Sequence, residues 1–491
     1  MELAGEQRFI GFDYKVVKIT VISIFTVLLL VSIYFFSTDN LLVGLACPLL
    51  PIPFYLLYII FKYPRIGFIT SLFCNYFAMG VGRYLPSPLG LTVDGSLLLT
   101  FIALLFSQFN HKVDWKLAVK DYTVWVVVWA IMTFMQLFNP EAVSREAWFY
   151  AMRGYAVYSL FTVPLVYLLF NRPKDLDLFI NLLAWFTILA VVKGIGQKFI
   201  GLDQWEHRWL MAPGNRTTHI IFGKLRIFSF FSDAGTFGSS MGYAGVLYII
   251  LGIHDKKKTQ KRFYLLVGLL ALYGMLISGT RSSIAIPLSG FTIYTVLTKN
   301  FKIMTIGGIF MLGIFFFLKF TTVGQDNYDI RRMRSAFDEN NPSMNVRKEN
   351  RRIFAEYLAT RPFGGGVGSA GNWGLRFSPG TILAETATDS WYVQIWAEQG
   401  IVGLIFYLLM IFYFFLKSSF LIFFRLKKPE YLYKAIGFTC GMCGLMISSY
   451  AASGLAQMPN TIIVFASMTL ISLIPEWEKE DKQQSTEIKL I

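Results

Sequence analysis

The residues best suited to chemistry in this chain are arginines and carboxylates in two long polar segments, 201–235 and 321–390. Arg208, Arg216, Arg226, Arg281, Arg331, Arg332, Arg334, Arg347, Arg351, Arg352, Arg361 and Arg376 lie in these segments or beside apolar runs, whereas the short polar stretches elsewhere use mostly lysine. A planar guanidinium meets two oxygens of a phosphate or carboxylate at once, which an ammonium cannot. Ion pairing is the simpler use for most of them, since Asp326, Asp329, Asp338, Glu339, Glu349, Glu356, Glu385 and Asp389 nearly cancel the basic residues of 321–390. Arg281 is harder to explain that way. It stands in Ser278-Gly279-Thr280-Arg281-Ser282-Ser283 between two apolar runs, where an uncompensated charge is costly, so a functional partner is expected.

Around these arginines stand groups of other kinds. Asn345 to Thr360 reads as an amphipathic helix after a Ser343 N-cap, with Val346, Ile353, Phe354, Tyr357 and Leu358 as its apolar stripe. Arg347 and Arg351, four residues apart, share a face and can address one anion. Gly364, Gly365, Gly366 and Gly368 permit a tight chain path near a ligand or the membrane surface, but no Lys-Ser/Thr follows to make a phosphate loop. Glu385 and Asp389 stand where the segment returns to an apolar run, a suitable place for a general base. Trp391, Tyr392 and Trp396 follow, fitting an interfacial aromatic belt or a platform on which a sugar ring stacks.

The elements that must position these groups are membrane spans. Of 491 residues 55% are hydrophobic, 17% aromatic and only 15% charged, which excludes an ordinary soluble domain. Runs long enough to cross a ~30 Å hydrocarbon core centre on Val17–Phe36, Leu41–Phe61, Ile66–Val81, Leu91–Phe109, Tyr122–Leu137, Tyr155–Phe170, Leu178–Lys198, Phe237–Ile253, Phe263–Ile277, Ile284–Leu297, Ile303–Phe320, Ile401–Leu416, Ala435–Tyr450 and Thr461–Ile474. The expected fold is therefore all-α and polytopic, with about 12–14 transmembrane helices. About eleven occupy 1–320, with the outer loop 201–235 among them. The large loop 321–390 carries the helix 345–360, further spans occupy 391–475, and a charged tail fills 476–491. Met1 to Lys18 lacks the pattern of a cleaved secretory signal, so the first span is expected to insert and stay.

Lys62–Arg65, His111–Lys120, Arg172–Lys174, His254–Arg262, Lys299–Lys302 and Arg425–Lys434 fall on one side of this arrangement, which the positive-inside rule makes cytoplasmic together with both termini. The two arginine-rich segments then face outward. The formal charge of +15 is scattered through loops and forms no continuous basic face, so nucleic acid is not an expected partner. Cys440 and Cys443 form a CxxC inside a span, where small residues packing closely explain them better than redox or metal chemistry.

Four stretches in order carry a resemblance: Arg226-Ile-Phe-Ser-Phe-Phe-Ser-Asp233-Ala-Gly235-Thr-Phe-Gly238, Ser278 to Ser283, Arg352 through Pro362 to Gly368, and Asp389-Ser-Trp-Tyr392 through Glu398-Gln-Gly400 to Leu404. Together they resemble the O-antigen ligase and polymerase superfamily. The resemblance implies a GT-C type membrane glycosyltransferase that uses undecaprenyl-pyrophosphate-linked sugars on the outer face of the bacterial inner membrane. It implies attack of an acceptor sugar hydroxyl on the anomeric carbon, with pyrophosphate leaving and no metal or other cofactor required. The leaving charge would be met by Arg281, Arg226, Arg347, Arg351 and Arg352. The hydroxyl would be oriented or deprotonated by Asp389, Glu385 or Asp233, in that order, with Trp391 and Tyr392 as sugar platforms. The implied partners are the lipid-linked glycan, the bilayer and, as a further candidate, a chain-length regulator protein.

One departure bears on the reaction. Ligases of this group commonly carry a histidine followed by asparagine where this chain has Asp389-Ser390, and 321–390 holds no histidine. That favours a polymerase of repeat units over a ligase that transfers glycan to lipid A core or protein. A polysaccharide or lipid transporter is the competing class. Charges are sparse within the spans, and no inverted repeat of broken helices is evident, which weighs against it.

Overall fold

The computed structural model describes residues 51–490 except 86, 111, 112, 213, 214, 222 and 338–341, together with 23, 26–34, 37 and 48. Half of the expected first span, Val17–Phe36, thus lies outside the described residues, and Asp338 and Glu339 lie wholly outside them. In chain order the helices are α1 (Pro51–Lys62), α2 (Pro64–Val81), α3 (Leu91–Asn110), α4 (Asp121–Met135), α5 (Arg145–Met152), α6 (Tyr158–Leu169), α7 (Pro173–Phe199), α8 (Gln204–Met211), α9 (Asn215–His219), α10 (Ala234–His254), α11 (Lys258–Ile277), α12 (Ala285–Leu297), α13 (Phe301–Phe320), α14 (Tyr328–Arg334), α15 (Pro342–Leu358), α16 (Gly371–Phe377), α17 (Ile382–Glu385), α18 (Trp391–Phe420), α19 (Pro429–Ser448) and α20 (Asn460–Leu490). A two-stranded antiparallel pair, Ile220–Ile221 with Lys224–Leu225, is the sheet structure among the described residues.

The protein is an all-helical, polytopic membrane protein. Among the described residues eight helical stretches are long and apolar enough to cross a bilayer, and Pro51–Lys62 and Met304–Phe320 are shorter apolar helices. Every apolar run expected from Ile66 onward falls on a helix; α2, α12 and α19 are shorter or less apolar than the eight. One of the eight, Arg145–Leu169, joins α5 to α6 through a π turn at Arg153–Val157.

The bundle is built around α10, which is buried along most of its length and packs on α11, α12 and α19. Its N-terminus is fixed by Asp233, whose carboxylate accepts the Thr236 N–H at 2.9 Å. Cys440 and Cys443 are buried on α19 beside Gly441 and Gly444. Side chains there would strike the Tyr243 ring and the Ile286 backbone, so the small-residue face sets the helix spacing.

Two elements depart from expectation. Helix α15 begins at Pro342, three residues before the expected Asn345, because proline suits the first helical turn. Phe354 and Leu358 are buried as expected, but Val346 is exposed and contributes nothing to the stripe. Helix α18 breaks at Gly400, which adopts φ +67°. The rings of Trp391 and Tyr407, sixteen residues apart, have centroids 6.0 Å apart, whereas a straight helix would separate the two residues by about 24 Å. The first limb therefore folds back on the second.

Candidate active site

The chain reverses direction between α11 and α12 in Ser278 to Ser283. Gly279 takes φ +59° at the tightest point, a conformation glycine adopts without steric cost. Thr280 Oγ1 donates to Ala234 O at 2.8 Å and accepts from Arg226 Nη2 at 2.7 Å, clamping the turn to the start of α10. Arg226 Nη1 reaches Thr218 O at 3.0 Å. Arg332, on α14, donates through Nε to Gly279 O at 2.5 Å. Arg281 is half-buried beside them. Burial makes its guanidinium easier to deprotonate than usual, and the positive charges of Arg332 and Arg347 act in the same direction. An anion at this position would relieve both effects.

The second half of the site is the turn that follows α19. Ser448 Oγ donates to Ser282 O at 3.0 Å, and the next residue, Ser449, offers its carbonyl to Ser390 Oγ at 3.1 Å and Trp391 N at 3.2 Å. Consecutive residues thus tie the Arg281 turn to Asp389-Ser390. Asp389 sits at φ +52°, which few residues other than glycine adopt and which aspartate tolerates better than most. Its side chain is 39% exposed, with Oδ2 3.9 Å from Arg347 Nε. Arg347 Nη2 also reaches Ala451 O at 3.4 Å, and the Arg351 guanidinium lies 4.5 Å above the Tyr450 ring and donates to its hydroxyl. Arg347 and Arg351 share a face as the spacing required.

Other expected site residues lie elsewhere. Arg352 points away from this face, 67% exposed, and pairs with Glu349 at 2.7 Å and Glu356 at 3.6 Å on its own helix. The Asp233 carboxylate is engaged by Thr236 N–H, Thr236 Oγ1 and Ser232 Oγ, so it works as a helix cap. Glu385 is exposed and accepts Gly380 N at 3.0 Å, a contact within its own turn. Trp391 is 3% exposed, wedged between Tyr155 and Tyr407, and has no open face for a sugar. Tyr392 anchors its helix through a 2.7 Å hydrogen bond to Met446 O.

The glycine cluster also proves structural. Gly365 N and Gly366 N donate to Ala397 O and Glu398 O at 2.9 Å each. Gly368 N and Ala370 N donate to the buried Glu398 carboxylate at 3.0 and 3.1 Å. These N–H groups face the first limb of α18 and are not free to cradle phosphate. In the earlier polar segment, 201–235, His219 is buried between Trp209 and Phe228, each 5.1 Å away between ring centroids, and burial lowers its pKa.

The sequence counts Arg332 among its arginines without singling it out, and gives no sign of the Ser282–Ser448 and Ser390–Ser449 ties. Arg332 belongs to the visible run Arg331-Arg332-Met333-Arg334, but nothing in that run marks which arginine turns inward.

Residues 266–408 match the family model described as O-antigen ligase. The match begins within α11, spans the Arg281 turn and the polar segment 321–390, and ends beyond the Gly400 break. Comparison with curated proteins gives no match. The chain is thus a multi-pass membrane protein in which residues 266–408 are similar to the O-antigen ligase family.

Proposed function

We propose that this protein polymerises undecaprenyl-pyrophosphate-linked oligosaccharide repeat units, for O-antigen, capsule or exopolysaccharide, on the outer face of the bacterial inner membrane. The observation that carries the reading is the juxtaposition of Arg281 with Asp389 through the Ser282–Ser448 and Ser449–Ser390 hydrogen bonds. In the proposed step an acceptor sugar hydroxyl attacks the anomeric carbon of the donor. The new glycosidic C–O bond forms as the bond to pyrophosphate oxygen breaks, and the electron pair leaves with pyrophosphate. Asp389, open to solvent, orients the hydroxyl and takes its proton. Arg281 and Arg226, with Arg347 and Arg351 beside them, stabilise the charge that grows on the leaving group. Direct displacement of this kind inverts the anomeric centre.

The family match, described as a ligase, supports a second reading in which finished glycan passes to lipid A core or protein. Loss of the gene in its host separates the two. Accumulation of single repeat units on the polyprenyl carrier, with long chains lost, is the outcome expected of a polymerase. Accumulation of full-length lipid-linked polymer would make it a ligase, and unchanged surface glycans would reject both.

A further inference from the structure

The run Arg331-Arg332-Met333-Arg334 enters the fold with three different fates for its arginines. Arg331 is exposed. Arg334 is buried and spent on Gln325 Oε1, Thr321 Oγ1 and the Val323 carbonyl. Arg332 lies between these extremes: its Nε is bound to Gly279 O at 2.5 Å, and its two terminal amino groups have no hydrogen-bond partner among the described residues. No carboxylate pairs with it among the described residues either. Its stem is fitted to the turn, since a Cβ on Gly279 would come within 3.3 Å of both Arg332 Cδ and Nε. A guanidinium anchored by one nitrogen, with its fork unspent and two other arginines close by, is arranged to receive an anion with more than one charged group.

From this arrangement we infer that Arg332 is a donor-binding residue that holds the second phosphate of a lipid diphosphate whose first phosphate lies on Arg281. The inference rests on the proposed function for the diphosphate and on the geometry of Arg332 for the residue. Two phosphates need two forks, and the turn that carries Arg281 holds Arg332 by the Gly279 carbonyl, close enough that the charge of Arg332 bears on Arg281. Binding of the donor then also fastens α14, and with it the start of the large outer segment, against the Arg281 turn.

The test uses the purified full chain in detergent, with undecaprenyl pyrophosphate and undecaprenyl monophosphate as probes and their dissociation constants as the readout. Arg332→Ala is expected to weaken the diphosphate about ten- to a hundredfold, the loss of one charged hydrogen-bonding fork, and to leave the monophosphate within about twofold. Guanidinium ion should restore part of the lost diphosphate affinity, and Arg332→Lys should fall between the two. Arg331→Ala, on the exposed neighbour, should bind both lipids as the wild type does. Equal loss of both lipids in Arg332→Ala and Arg332→Lys would make the residue structural and overturn the inference. Wild-type affinity in Arg332→Ala alongside weakened binding in Arg281→Ala would overturn it while leaving the proposed function standing. No preference for diphosphate in the wild type, with Arg281→Ala unimpaired, would reject the proposed function itself.

Discussion

Asp389 combines two features that mutation can separate: a carboxylate near Arg347 and a backbone at φ +52°. Asparagine tolerates the same left-handed conformation but cannot take a proton, so Asp389→Asn should lower glycosyl transfer by about 10²- to 10⁴-fold with little change in melting temperature. Turnover near the wild-type rate in that variant would remove Asp389 as the base. Arg281→Ala should abolish polymer while the protein still inserts and folds, read by detergent-solubilised yield and by product gels. Arg281 and Asp389 could be singled out in the sequence because each marks a local anomaly, a charge between apolar runs and an acid at the return to the membrane. Arg332 could not, since only tertiary packing distinguishes it from Arg331. Trp391 was misleading for a related reason: an aromatic beside a span has the same local signature whether it faces the interface or, as here, the core.

At the scale of elements, the polar segment 321–390 is held by backbone contacts that leave little room for change. Glu398 accepts the N–H groups of Gly368 and Ala370 in a buried setting. Glu398→Ala leaves both without an acceptor, at about 1–3 kcal/mol each, so a combined loss of about 2–6 kcal/mol should appear as a lowered melting temperature. Glu398→Gln, which keeps one accepting oxygen, should lose roughly half as much. The break at Gly400 is equally constrained, since a side chain there would collide with the Pro362 carbonyl. A glycine inside an apolar run is visible in sequence, but the fold-back it permits depends on Pro362 and Gly364, nearly forty residues away. The other polar segment, 201–235, carries a pH dependence. Burial holds His219 below its ordinary pKa of 6.5, so the folded segment keeps the ring neutral. As pH falls through 6.5 the unfolded segment binds the proton more readily than the folded one, and the stability present above that pH is progressively lost below it. Limited proteolysis of residues 204–226 should accelerate from pH 7.5 to pH 5.5, and His219→Gln should flatten that profile. A profile unchanged by the substitution would assign the effect to other groups.

Across the whole molecule, the lysine-rich short loops assigned to one side by sequence are brought together by ion pairs. Lys120 meets Glu476 at 2.6 Å, Lys434 meets Asp177 at 2.6 Å, Arg65 pairs with Asp175, and Lys428 pairs with Asp481. Glu478 adds hydrogen bonds from the Lys427 and Lys428 backbone N–H groups. Segments 62–65, 120, 172–177, 425–434 and 476–481 therefore form one end of the bundle, and the acidic start of the tail complements the positive loops. The arginine-rich site belongs to different connections: the Arg281 turn joins the C-terminal end of α11 to α12, whereas the lysine-rich stretch 254–262 joins α10 to the opposite end of α11. Legible in the sequence, then, were the apolar runs from Ile66 onward as helices and the grouping of these loops at one end; which residues of those loops meet was not, because that depends on how the helices pack. If the positive-inside rule applies to this end, single cysteines at Lys174, Lys256 and Lys428 should react with a membrane-impermeant maleimide only after the cells are opened. Cysteines at Gly223, Thr360 and Gly380 should react in intact spheroplasts. Labelling of Lys256Cys from outside would invert the orientation and place the Arg281–Asp389 site in the cytoplasm, where an outward-facing lipid-linked substrate could not reach it.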